Sequence, residues 1–192
     1  MILGLILSLS ATKSFGDWSG FYSGIYLSKD ATTGVGSHVT TAGYTLEADA
    51  DKNNAGFFLG YNHAFGDVVI GIETSMQETV GLDQGSSGVN GTILWEDLME
   101  FKIKLGYNLN NLLVYTHYGV GDLDIYWDQY ENDPASGDNY ETIEVGIETK
   151  ITNGIFVGLS IFETTLDLTY GVSNYIDEMQ HKGYRLRIGY LF

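Results

Sequence analysis

The sequence contains no cysteine, so it offers neither a disulfide framework nor a thiolate to bind metal or attack a substrate. Basic residues are scarce as well. Nine Lys and Arg stand against 25 Asp and Glu, a formal charge of −16, which excludes nucleic acid as a partner because phosphates must be met by a basic surface. No stretch after residue 16 approaches the roughly 20 apolar residues of a membrane-spanning helix. The histidines, His38, His63, His117 and His181, lack the spacing of a zinc site, and neither a G-x-S-x-G elbow nor a phosphate-cradling glycine loop occurs. No enzyme, metal site or cofactor is expected. The one catalytic arrangement with residues to consider is a lipid A hydrolase pairing His117 with a cross-strand Ser75 or Ser160, and lumen filling is the expected role of His117.

What remains is a chain with one proline, 25 glycines and 14% aromatic residues, suited to a single β-rich domain with tight turns. Its N-terminus opens on the apolar run Ile2 to Ala11, too short to span a bilayer and matched to a secretory signal, with Ser14 and Gly16 placed for cleavage before Asp17. Residues 1–16 are therefore expected to be a signal peptide and 17–192 the mature domain.

From there the dominant period is two. Met99, Phe101, Ile103, Leu105 and Tyr107 share one face, bounded at the far end by Trp95, while Glu100, Lys102, Lys104 and Gly106 share the other. The closing segment repeats the pattern: Lys182, Tyr184, Leu186, Ile188, Tyr190 and Phe192 alternate with Gly183, Arg185, Arg187, Gly189 and Leu191. A third strand lies at 140–151, and weaker alternation covers Phe21–Ser28, Ala55–Phe65, Val68–Met76, Leu112–Val120 and Ile155–Thr165. Short links at Gly66-Asp67, Asn108–Asn111 and Thr152–Gly154 alternate with long ones at 29–54, 79–94, 121–139 and 167–181. That rhythm predicts an all-β protein, an eight-stranded antiparallel up-and-down transmembrane β-barrel, with long loops outside the cell and both termini periplasmic.

If the apolar faces meet lipid, Glu73, Glu100, Glu144 and Glu148 point inward with Lys102, Lys104, Lys150, Arg185 and Arg187. Eight strands enclose only enough room for side chains, so these charges are expected to pair into a closed, salt-bridged lumen. A small porin or channel is the alternative. The acid excess then falls in the long loops: Asp122, Asp124, Asp128, Glu131, Asp133 and Asp138 occupy the third, interleaved with Tyr126, Trp127 and Tyr130. That order does not make a calcium loop, and a solvated acidic surface is expected.

Four segments carry a family resemblance: Asp17-Trp18-Ser19-Gly20-Phe21-Tyr22-Ser23-Gly24; Gly56-Phe57-Phe58-Leu59-Gly60-Tyr61-Asn62 with Gly71-Ile72-Glu73; Lys104-Leu105-Gly106-Tyr107 with Leu113-Val114-Tyr115; and Arg185 through Phe192. In these the chain resembles the small OmpA-like or opacity-type outer-membrane barrels of Gram-negative bacteria, above all the porin-like immunogenic surface proteins of alphaproteobacteria. The resemblance implies residence in the outer membrane, contact with its lipid and lipopolysaccharide, and a closing strand ending in Tyr190 and Phe192 that is read by the barrel-assembly machinery. It also implies a role in envelope integrity or surface contact, with any host ligand unidentified, and it carries over no catalytic residue.

Overall fold

The computed structural model of the chain describes residues 17–37, 44–46, 52–77, 80–83, 92–127, 135–152, 154–170 and 175–192. The expected signal peptide and the side chain of Trp95 lie outside what is described. Eight long strands run through the described residues: β1 (Gly20–Ser37), β3 (Lys52–Phe65), β4 (Val68–Gln77), β6 (Thr92–Leu109), β7 (Leu112–Trp127), β8 (Ala135–Lys150), β9 (Ile155–Tyr170) and β10 (Tyr175–Leu191). Two short ones, β2 (Tyr44–Leu46) and β5 (Val80–Asp83), extend the sheet beside β1 and β6. Among the described residues every pairing is antiparallel, each of the eight long strands pairs with the long strand that follows it, and β1 pairs β10 from Tyr22↔Leu191 to Ser37↔Ile176, so the sheet closes into an up-and-down barrel. Closure gives each of the eight long strands a partner on both sides.

Alternation decides which way each strand faces. On β6, Met99, Phe101, Ile103, Leu105, Tyr107 and Leu109 are exposed, while Glu100, Lys102 and Lys104 are buried. From Met99 to Leu109 the strand rises about 25 Å along the barrel axis at a tilt of about 40°, the apolar thickness such barrels present to a membrane. Outward threonines do not interrupt this surface, because Thr74 and Thr116 donate their hydroxyls back to the carbonyls of Glu100 and Glu144.

Three short turns gather at the end that carries the termini. Gly66 and Asn110 open two of them with φ of +64° and +65°, left-handed backbone that glycine adopts freely and asparagine tolerates. Asn108 N donates to Asp67 O across adjacent turns, Leu191 N to Gly154 O, and Phe192 N to Phe21 O, which ties the last residue to the first strand.

At the opposite end the strands outrun the expected boundaries. β1 continues to Ser37 and β6 begins at Thr92, while Asp122 and Asp124 sit in β7 and Asp138 in β8 and not in a loop. Tyr126 and Trp127 also belong to β7; Asp128, Tyr130, Glu131 and Asp133 lie outside the described residues. Expectation and structure differ here because hydrophobic alternation exists only where one face meets lipid. Beyond the membrane both faces meet water, the periodic signal fades, and backbone hydrogen bonding carries the ladder on without it. The ladder also shifts register between Glu96 and Met99, a bulge across which no period-two assignment extends to Trp95.

The narrow bore is accommodated by cross-strand complementarity. Tyr22 pairs Gly60, Tyr26 pairs Gly56 and Phe156 pairs Gly189, each ring lying over the glycine opposite. A Cβ at position 60 would stand 2.3 Å from the Tyr22 ring, whereas one at Gly66 meets nothing within 4 Å. Gly60→Val is expected to cost about 1–3 kcal/mol through displacement of Tyr22, while Gly66→Ala costs about 1 kcal/mol from backbone strain alone. Urea unfolding in detergent, followed by tyrosine and tryptophan fluorescence, checks both values; equal losses would disprove the packing account.

Candidate functional site

The lumen is layered. At the terminal end Trp18, Tyr22, Phe58, Val69, Leu113, Phe156 and Leu191 form a buried apolar cluster. Trp18 precedes β1 and turns inward, its indole 6.0 Å from the Phe156 ring. Lys150 Nζ donates to the carbonyl of Asp17 and stands 4.8 Å from the centre of the Trp18 ring. Ala64 N donates to Ser19 Oγ, so the three residues before β1 are fastened to the wall on two sides.

Above this cluster lies a network of charges. Lys104 reaches Glu148 at 3.3 Å and is held between the rings of Tyr22 and Tyr115, 4.6 and 4.7 Å from their centres. Arg187 forms an ion pair with Glu73, approaches Glu148 at 3.5 Å and Glu144 at 3.6 Å, and stacks over Phe58. Tyr22 Oη donates to Glu73 at 3.0 Å, and Arg187 donates to Tyr115 Oη at 3.1 Å. Higher still, Lys102 meets Glu73, Glu100 and Glu144 at 3.4, 2.9 and 3.3 Å, and Arg185 meets Glu100 and Glu144 at 3.5 and 3.0 Å. Ser75 and Thr142 complete the acceptors of Glu100, donating at 2.8 and 3.1 Å.

All nine charged residues assigned to the lumen from the sequence are buried there, none more than 5% exposed. Eight of them join through ion pairs into one network of four carboxylates and four cations; Lys150 sits one layer lower, at the apolar cluster. Balance follows from burial. A charge withdrawn from water costs several kcal/mol unless an opposite charge and hydrogen bonds replace its hydration. Lys102, Arg185 and Arg187 thus serve as internal counter-ions.

His117 enters the same network, with Nδ1 3.4 Å from Glu144 and Nε2 4.0 Å from Glu73. Ser75, considered as its catalytic partner, donates to Glu100. Sequence reasoning did not identify the apolar cluster or the tyrosines that share hydrogen bonds with the carboxylates. The available signal was the inward parity of Trp18, Tyr22 and Tyr115, each standing on the face opposite the lipid-facing residues of its segment. Tyr190 and Phe192, by contrast, face outward at the terminal rim with ring centres 5.1 Å apart.

Removing one member should cost more than removing a pair. Glu144→Leu would leave Lys102 and Arg185 short of a partner, with an expected loss of about 3–5 kcal/mol. The double variant Lys104→Met with Glu148→Leu is expected to recover a good part of what Glu148→Leu alone loses. Thermal unfolding of the three variants in one detergent checks the ordering, and unchanged melting of Glu144→Leu would mean that the ion network does not hold the barrel.

No family model and no curated protein matches the sequence. Among solved structures, the outer membrane protein OprG from Pseudomonas aeruginosa is similar in fold, with a TM-score of 0.53 and 14% identity over 94% of this chain and 99% of that one. The outer membrane protease OmpT from Escherichia coli gives 0.52 and 8% over 95% and 99%. At these identities the similarity concerns architecture alone: the chain has the fold of outer-membrane β-barrels.

Proposed function

We propose that the protein is a structural or surface-contact barrel of the bacterial outer membrane, with a sealed lumen that conducts neither ions nor solutes. The observation that carries this reading is the filling of the bore by two successive barriers, the apolar cluster at the terminal end and the balanced ion network above it. A pore needs continuous water, and here side chains take its place. The outward apolar band supports residence in the membrane, and the contrast between short turns and extended strands supports termini in the periplasm with the long connections outside. The resemblance of four sequence segments to the opacity-type surface barrels supports this role, which leaves envelope integrity and surface contact as its two aspects.

Conductance in planar bilayers tests the seal. Purified protein inserted into a lipid bilayer is expected to stay silent, and discrete openings that scale with salt would overturn the closed lumen in favour of a small porin. An unheated SDS gel lane beside a boiled one reports at the same time whether a folded barrel is present.

The same reading assigns Tyr190 and Phe192 to recognition by the assembly machinery, because both present their rings outward at the terminal rim. Phe192→Gln keeps the backbone hydrogen bond to Phe21. It is expected to lower the folded fraction in cells while refolding into detergent from urea stays at the wild-type yield. Equal loss in both settings would show that Phe192 acts through stability.

A further inference from the structure

We propose that Lys29 and Lys182 form a site on the outer wall for the phosphate of a lipid headgroup in the leaflet on the long-connection side. This rests on the membrane reading above and names one of its partners. Five of the chain's nine basic residues are spent inside the lumen. Among residues whose side chains are described, Lys29 and Lys182 are the bases that face outward, and they stand together. Lys29 registers with Tyr184 and Ala31 with Lys182, so the two lysines are diagonal neighbours on one face of the β1–β10 pair. Diagonal positions lie about 7–8 Å apart, a spacing from which two flexible ammonium groups can converge on one multidentate oxyanion.

Their height fits the same ligand. Exposed Tyr184 stands level with Lys29 and one step below Lys182, and beneath them the outer face turns to Leu186 and Ile188 beside Leu27 and Ile25. The two lysines therefore sit at and one step beyond the level of an aromatic belt residue, from which flexible ammonium groups reach the headgroup phosphates. Lys182 is steadied by Glu163 at 3.1 Å, yet both remain half exposed, and an ammonium has three hydrogens to donate. Among the described side chains Asp122 and Glu141 face outward on β7 and β8, so of these sectors the β1–β10 pair, where two lysines stand with Glu163, is the one that attracts lipid phosphates.

The test refolds the full chain into phosphatidylcholine vesicles with and without lipid A, extracts it into neutral detergent, and counts retained lipids by native mass spectrometry. Wild type is expected to keep a lipid A molecule in preference to phosphatidylcholine. The double variant Lys29→Gln, Lys182→Gln should bind it roughly 30-fold more weakly, about fivefold per lysine, and Glu163→Gln should bind at least as well as wild type. Retention by the double variant equal to wild type overturns the site. So does equal retention of phosphatidylcholine, or displacement of the lipid by millimolar inorganic phosphate, which would make this a free-anion site. Both lysines point away from the lumen, and the unheated gel band confirms folding of each variant; should the double variant fail to fold, the two single variants carry the same test. A wild type that inserts but keeps no lipid A overturns this inference alone, whereas failure to insert in any vesicle overturns the membrane reading as well.

Discussion

The narrowness of an eight-stranded bore is the constraint from which the rest of the structure follows. Closing eight strands leaves an interior about as wide as the side chains that fill it, so each inward position is a volume to be shared with the position across from it. A tyrosine is admitted only opposite a glycine, as at Tyr22 and Gly60 or Tyr115 and Gly146. A carboxylate is admitted only where a cation can reach it, as at Glu144 between Lys102 and Arg185. The glycines and the charges, which look like unrelated oddities of composition, are two answers to one shortage of space.

That shortage also explains which parts of the fold were legible beforehand. Strand identity and inward parity could be read wherever one face meets lipid and the other the lumen, because the two solvents differ enough to write period two into the residues. β6 and the second half of β10 are the clearest cases. Legibility failed in two places for physical reasons. Past the membrane the outer face of β7 meets water, so Asp122 and Asp124 look like loop although the ladder continues through them. Inside, pairing was predictable only as a sum of charges, since which cation reaches which carboxylate depends on shear and register. The inclusion of His117 between Glu73 and Glu144, and the displacement of Lys150 to the apolar cluster, are consequences of that register. The inward aromatics were visible in the sequence but masked by outward ones, because aromatic residues serve both as belt and as filler.

The partition of charge has a further consequence for the surface. A membrane barrel with balanced internal ions and few bases overall must draw those internal cations from a small pool, and this one draws five of nine. The interior holds four carboxylates with those five bases, so it shifts the balance of the rest of the chain by a single charge, and the acid excess belongs to residues outside the lumen. Net charge alone then says little about partners. What carries information is position: among the described side chains the outward bases, Lys29 and Lys182, share one sector with Glu163, while Asp122 and Glu141 stand on β7 and β8.

An uneven rim matters because a barrel in a bilayer is free to turn about its own axis, and lipid phosphates surround it on every side. Coulomb interactions at that height are only partly screened, since the headgroup layer is thinner than a few Debye lengths and is backed by hydrocarbon. A barrel whose rim is basic at β1–β10 and acidic across β7–β8 presents two unequal sides to a layer of uniform sign. On the lipid site proposed above, anionic lipid gathers at the first side and is depleted at the second. The second side is then the one least encumbered by lipid phosphate, and a neighbour carrying basic groups would meet least competition there. The filled bore and the uneven rim meet in one fact: the bore holds five of the nine bases, and the two lysines that face outward among the described side chains stand together.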